Sequence, residues 1–294
     1  MWLFRKSLDI SRASPRRVTA NDLGVISRLF RDGGRRFAAL SGNDLPALLA
    51  AGQGVAMVAG GELWAVALVS QPCAERCWLR AIAFAEGVDA RAGSNMLLPA
   101  LHRSLAALGV RGVYFGGDES AEHWLLPILS AHGYQYDTEV LVYEKRQLDV
   151  PATGNPLVQL RPAGDADLAS LLQLDQACFE PQWTKDDTIL QPAIRQGPYF
   201  VVAELAGALV GYAYATTHFG GQLVHLVRIA VAPEHQHQQI GVSLLADVIA
   251  FAREQGAVAV TLNTQAYNVS AQRLYRWFGF SPTGERQAIV RCDL

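Results

Sequence analysis

Short continuous apolar runs alternate along this chain with stretches in which apolar residues recur every three or four positions. Runs such as VAMVA (55–59), WAVALV (64–69), LRAIAF (79–84) and VYF (113–115) read as buried strands. The stretches 95–108 and 121–131 carry the helical period, and EVLVYEK (139–145) reads as a further strand. The same succession returns later in the chain. A strand is expected near 157–161, a helix over 165–179 and a shorter one near 185–195. YFVVAEL (199–205) and ALVGYAYATTH (208–218) predict an antiparallel pair around a turn at Ala206–Gly207. A third long strand covers 223–231, a helix 240–255, a short strand 258–262 and a helix 269–277, with two terminal strands after it. Helices that connect neighbouring strands of an apolar sheet define an α/β layer.

The recurrence suggests a duplication. RRVTANDLGVISRLF at 16–30 resembles LRPAGDADLASLLQL at 160–174, with Asp22 and Asp165 or Asp167 placed to meet free amides at a helix start. Arg17 stands 144 positions before Arg161, and Gly133 stands 146 before Gly279. A period of about 145 follows from those positions. The segment PATGNP at 151–156 punctuates the chain, so the expected domains are 1–150 and 151–294.

Composition narrows the field of functions. Half of the 294 residues are apolar, enough for one large core or two smaller ones. A net charge of -2 without a dense basic stripe argues against nucleic acid as a partner. Cys73, Cys77, Cys178 and Cys292 are too sparse for a disulfide framework and lack zinc-ligand spacing, so no metal is expected. MWLFRKSLDI at the start lacks the pattern of a secretion signal, and no apolar run approaches a membrane span. A cytoplasmic enzyme without a membrane partner, monomer or homodimer, is the expectation.

The candidate chemistry gathers in the second half. VAPEHQHQQIG at 231–241 lies between a strand and a helix, and Pro233 ends the strand because it cannot donate to the ladder. Amides turned into one concavity at a helix N-terminus suit a diphosphate. The alternative is a solvated turn in which His235 and His237 are surface histidines. Further on, Asn268 can cap a helix on which Ala271, Leu274 and Tyr275 share much of one face, and Gly279 ends it.

On these residues the chain resembles the GCN5-related N-acetyltransferase (GNAT) family. The resemblance rests on Val231, Pro233 and Gly241, followed by Asn268, Ala271, Leu274, Tyr275, Gly279 and Phe280. It covers 157–294 in the order of elements and 1–150 in outline, which matches tandem members of that family. It implies two domains, each a splayed, mixed, mostly antiparallel sheet flanked by helices. It implies further that acetyl-coenzyme A, as cosubstrate, enters a split between the strands at 223–231 and 258–262. Ile229, Ala230 and Val231 would line it, and Gln236, His237, Gln238, Gln239, Ile240, Gly241 and Val242 would hold the pyrophosphate by backbone amides. Asn268 and Ala271 would meet the pantetheine arm, and Tyr275 would sit by the sulfur and protonate the departing thiolate. The family's turn carries glycines where this chain has His237 and Gln239.

The reaction so implied moves an acetyl group to a primary amine by direct attack. Placing the reactants together supplies much of the catalysis. A strand bulge could free an amide to polarise the carbonyl. Some relatives carry a basic Glu where this chain has Asn263, so His225, which interrupts an apolar strand, is the candidate base. A core histidine bonded to backbone is the competing view of His225, and an aromatic packing residue that of Tyr275. Alternation along the strand puts His225 and Arg228 on opposite faces. Arg228 would recognise an acidic group or pair with a helix carboxylate. Phe179, Trp183, Tyr212, Tyr214 and Phe219 are candidates for an acceptor wall. The first half lacks both motifs and is expected to be a degenerate domain without cofactor. A non-catalytic acyl-coenzyme A sensor or an interaction protein is the alternative function.

Overall fold

The computed structural model describes residues 7–40 and 44–294, so the first six residues of the start read above lie outside the described residues. The chain divides into two compact units. Unit 1 comprises residues 1–137 and 287–294, and unit 2 comprises residues 138–286.

Unit 1 begins with β1 (Ser14–Arg17), α1 (Leu23–Asp32), β2 (Arg35–Ala38) and α2 (Asp44–Ala50). A hairpin of β3 (Gly54–Ala59) and β4 (Glu62–Val69) follows, then β5 (Arg76–Phe84), α3 (Ala90–Ala106), β6 (Gly112–Gly116) and α4 (Glu119–Ala131). β7 (Gln135–Lys145) leaves unit 1 after three residues. Unit 2 continues with β8 (Gln159–Pro162), α5 (Leu168–Cys178), α6 (Asp187–Gln196), β9 (Tyr199–Leu205), β10 (Ala208–His218) and β11 (Leu223–Val231). It ends with α7 (Ile240–Glu254), β12 (Ala259–Gln265) and α8 (Val269–Trp277), and β13 (Ser281–Asp293) carries the chain back to unit 1.

The sheet of unit 1 runs β1-β3-β4-β5-β6-β13, and that of unit 2 runs β7-β12-β11-β10-β9-β8. β5 with β6 and β11 with β12 are parallel pairs, and the other ladders within each unit, including that of β2 on β5, are antiparallel. In unit 2, α7 and α8 cover one face around Leu244, Val248, Leu262 and Tyr275. α5 and α6 cover the other around Leu171, Leu190, Phe200 and Tyr212. Each such side chain contributes on the order of 2 kcal/mol when fully buried, which is why helices fall on both faces of a sheet whose strands are apolar throughout.

A cut at 150/151 does not follow the compact units. β7 pairs with β12 inside unit 2, with Leu262 opposite Tyr143, and β13 pairs with β6 inside unit 1, with Val290 opposite Phe115. Each sheet is thus completed by a strand from the other half of the sequence, because the outer edges of β12 and β6 need a hydrogen-bonding partner. The two expected terminal strands are one strand of 13 residues, and the expected strand 258–262 extends to Gln265.

The duplication shows in hydrogen bonds. Arg16 grips Asp22 in unit 1 at 2.8 and 2.6 Å, and Arg161 grips Asp167 in unit 2 at 2.8 Å twice. Each carboxylate also accepts from an amide three residues back, Thr19 and Gly164. All three positions are 145 apart, so the partner of Arg161 is Arg16 rather than the expected Arg17, which binds the carbonyls of Ala51 and Gly52. The guanidinium beside Asp22 holds its carboxyl down to about 2.

Candidate active site

β11 and β12 lie side by side only at their starts, from Leu223 opposite Ala259 to Leu226 opposite Leu262. Beyond that point β11 stays with β10 and β12 stays with β7, so the sheet opens between them. Where β11 leaves β12, its ladder with β10 shifts register. Tyr214 faces Arg228 and Ala215 faces Leu226, so Val227 is an extra, bulged residue. The bulge moves side chains as well. Leu226 packs with the α7 side of the sheet, whereas both Val227 and Arg228 point to the α5 side. His225, opposite in sense to Leu226, therefore shares the α5 face with Arg228, and the expectation of opposite faces is corrected by the bulge.

The open split ends at the turn into α7. Pro233–His235 forms one 3-10 turn, and α7 follows with Gln239 as its N-cap residue. His237 and Gln239 have φ of 62° and 60°, the left-handed region, at the two positions where the resembling family places glycine. Both residues thus hold a conformation that glycine adopts freely while carrying a Cβ. Among the described residues, the amides of residues 237–242 donate to no backbone carbonyl, and they surround the positive end of α7. Gln236 turns its side-chain amide back to the Val231 carbonyl, Asn155 binds the Gln238 carbonyl at 3.0 Å, and Ile240 and Val242 anchor the turn in the core. A methyl group on Gly241 would lie 3.5 Å from Leu274 and 3.8 Å from Val231, so the end of β11, the start of α7 and the side of α8 converge on it. A phosphorylated arm fits this concavity, because its lining is free amides with no carboxylate among residues 235–242.

α8 forms the far wall. The Asn268 side-chain oxygen caps it by accepting from Ala271 at 3.1 Å, which leaves the side-chain NH2 to donate elsewhere. Tyr275 is 5% exposed, between the rings of Tyr143 and Phe280, and burial pushes its hydroxyl above the ordinary range while the charge of Arg228 pulls it down. Its hydroxyl has no hydrogen-bond partner among the described residues. Of the other expected lining residues, Ile229 and Val231 face the α7 core and Ala230 the α5 core.

His225 is half-buried, and its Nδ1 lies 2.9 Å from the Thr261 hydroxyl on β12. Burial, and then the neighbouring His218, lower its pKa from 6.5, so the imidazole is neutral at neutral pH. Its contact is a side-chain hydroxyl across the parallel pair rather than the backbone. Glu204 is engaged with Arg161 at 2.9 and 2.7 Å. Asn263 is exposed on the same face as Thr261. Arg228 pairs with a helix carboxylate, Asp175. Of the aromatic wall, Tyr212 and Tyr214 are core, Phe179 and Trp183 are half-buried beside Arg228, and Phe219 is 79% exposed at the far end of β10. Pairing with a helix carboxylate is one of the two expectations for Arg228, and Asp175 is that carboxylate; the Trp183 carbonyl is a further acceptor that no sequence pattern marks. Asp175 breaks the apolar face of α5 and was the available signal.

Unit 1 has the same opening with a different content. β5 pairs with β6 only from Arg76 to Trp78, and a register shift against β4 leaves Arg80 as the bulged residue. There, however, β2 pairs with residues 81–84 of β5 on the edge opposite β4. Phe37 of β2 lies edge-on to Phe115 of β6 at 5.1 Å, so the split is filled by the chain itself. The carboxylate of Asp89 caps α3 by accepting from Ala92 at 2.8 Å.

Residues 168–280 match the model of the Acetyltransferase (GNAT) family. A Bacillus subtilis (strain 168) protein described as a ribosomal protein bS18-alanine N-acetyltransferase is 28% identical over 123 residues, 41% of this chain and 79% of that relative. N-acetyltransferase 8F1 of Rattus norvegicus is 35% identical over 91 residues, 30% of this chain and 41% of that relative, so the match spans under half of its length. A tandem GNAT protein from the clavulanic acid biosynthesis pathway superposes with a TM-score of 0.61 at 14% identity, over 96% of this chain and 98% of its own, a likeness of fold. Residues 168–280 are thus similar in sequence to GNAT acetyltransferases, and the fold is like that of a tandem GNAT protein.

Proposed function

We propose that unit 2 transfers an acetyl group from acetyl-coenzyme A to a primary amine in a ternary complex. The observation that carries this reading is the junction of four features at one opening. These are the split between β11 and β12, the Val227 bulge at its apex, the free amides of residues 237–242 at its end and the Tyr275 hydroxyl on its wall. Acetyl-coenzyme A supplies an acetyl group activated as a thioester. The amides of residues 237–242 hold its pyrophosphate, Gly241 leaves room for the arm, and the Asn268 side-chain NH2 donates to a pantetheine carbonyl. The backbone amide at the bulge donates to the thioester oxygen as charge develops there. His225, neutral at pH 7, takes the proton that the amine loses on attack. Tyr275 gives its proton to the departing thiolate, helped by the positive charge of Arg228.

The acceptor reaches the thioester from the α5 face, because α7 and α8 fill the other one. Unit 1 binds no acyl-coenzyme A in this reading: β2 occupies its split, and Asp89 puts a negative charge where the phosphates would need free amides. Calorimetric titration with acetyl-coenzyme A tests both parts. One site per chain, lost in Gln239→Glu, and amine-dependent thiol release support the proposal. No binding at millimolar cofactor refutes it, and two sites per chain refute the assignment of unit 1.

A further inference from the structure

The two units handle one segment in opposite ways. In each, the connection between the first and second helix runs toward the free edge of the bulged strand. In unit 1 that connection is β2, and it adds to β5 with Arg35 opposite Phe84 and Ala38 opposite Ala81. In unit 2 the connection is residues 179–186, which contain one 3-10 turn, Pro181–Trp183, and no strand. The edge of β11 over residues 227–231 that faces the split has no strand on it among the described residues.

The unit 2 connection is fastened to Arg228 instead. Arg228 Nη2 donates to the Trp183 carbonyl at 2.7 Å, and its guanidinium carbon lies 3.3 Å from the centre of the Phe179 ring. Arg228 is in turn gripped by Asp175, with Nε and Nη2 donating to the two carboxylate oxygens at 2.8 Å each. Asp175 also accepts from the Lys185 amide at 2.6 Å and from the Tyr212 hydroxyl. Asp175 is fully buried and Arg228 is 8% exposed, so neither charge has water as a substitute partner.

Unit 1 lacks this device. The residue after its bulge is Ala81, and the residue of α1 that stands 145 before Asp175 is Phe30. The sequences of the two connections point the same way. Arg35–Ala38 can pair throughout, whereas Pro181 has no N–H to give to a ladder.

We propose that the Arg228–Asp175 pair positions residues 179–186 beside the split and keeps them from adding to the free edge of β11 as β2 adds to β5. Unit 1 then displays the closed form of this connection and unit 2 the open form. Arg228 is a positioning residue: it governs access to the split through the segment it holds. The inference rests on the cofactor reading for its binding readout only, since strand addition is measurable without ligand.

The test uses the full chain as Arg228→Met, the milder Arg228→Lys, which keeps the charge but loses the fork, and Asp175→Asn. A second set adds Glu180→Pro. Glu180 has φ -61° and ψ 152°, and Phe179 before it is extended, so proline fits the open form. With residues 180 and 181 both proline, a ladder bond is lost in either register. If the closed form is favoured ten to one, apparent affinity for acetyl-coenzyme A falls about tenfold. The expected result is that fall in Arg228→Met and Asp175→Asn, a smaller fall in Arg228→Lys, and recovery of wild-type affinity when Glu180→Pro is added. Amide hydrogen exchange at Glu180 and Gln182 and in residues 229–231 should slow in Arg228→Met without ligand, because a new ladder protects both segments. Faster exchange there, or a loss of affinity that Glu180→Pro does not restore, overturns the proposal and leaves the pair as a stability element. If the wild type binds no cofactor, the function reading fails, and the exchange result alone decides this one.

Discussion

Replacing Gln239 by glycine should stabilise the protein, although glycine at a helix start is ordinarily the weaker choice. Gln239 holds φ 60° and ψ 15° as the N-cap residue of α7, and its side chain forms no cap bond. A left-handed conformation costs a residue with a Cβ about 1–2 kcal/mol, and glycine escapes that cost. Glycine gives back roughly 0.5–1 kcal/mol through the greater freedom of its unfolded chain. The net expectation is a gain of about 0.5–1 kcal/mol, which for a protein of this size raises Tm by about 1–4 °C. Gln239→Ala keeps the strain and should be close to neutral, and Gln239→Val, branched at Cβ, should destabilise. The side chain is exposed, so its removal opens no cavity. Urea midpoints of the three variants, measured without ligand, make the comparison, and the same logic applies to His237 with φ 62°. A glycine variant less stable than the alanine variant by 0.5 kcal/mol or more would refute the argument, since the left-handed conformation would then carry no strain. Affinity for acetyl-coenzyme A should rise with the glycine, because the turn then presents amides to the phosphates without a side chain beside them.

Tyr275→Phe removes one hydroxyl from a buried ring, so cofactor affinity should stay within about twofold while kcat falls by roughly 10²-fold, read by thiol release. His225 is buried with a pKa below 6.5, so the folded protein favours its neutral form. kcat should therefore rise with pH along a limb centred below 6.5 and be flat near neutrality, and His225→Gln should lower kcat and abolish that limb. The same shift makes the unfolded chain take up the proton first, so this group's penalty to stability appears as pH falls below 6.5. A fragment of residues 151–294 lacks residues 138–145 of β7 and leaves β12 with an open edge. It should show non-native near-UV circular dichroism, whereas the full chain should not.

Much of unit 2 was legible in the sequence because its signals are local. A run such as LVHLVRIAV declares a buried strand, Asn268 declares a helix start, and Gly279 with φ 84° declares its end. The hairpin turn at Ala206 and Gly207, with φ of 51° and 80°, follows from the same local chemistry. The period of about 145 was also visible, because duplicated bonds such as Arg161 to Asp167 preserve residue types.

Tertiary structure decided what depends on edges and register. Strand pairing is set by which backbone edge is left open, and no local pattern records that β7 completes unit 2 or that β2 fills the split of unit 1. The bulge at Val227 inserts one residue into a two-residue alternation, so everything inferred from parity beyond it changes face, and His225 joins Arg228. The left-handed turns at His237 and Gln239 run against the preference of their side chains, and the sheet and helix on either side impose them. The sequence by itself determined the elements, the repeat and the residue types of the site. Which edges close, which face each side chain takes and which of two similar splits stays open are settled only when the strands meet, since those depend on hydrogen-bond partners distant along the chain.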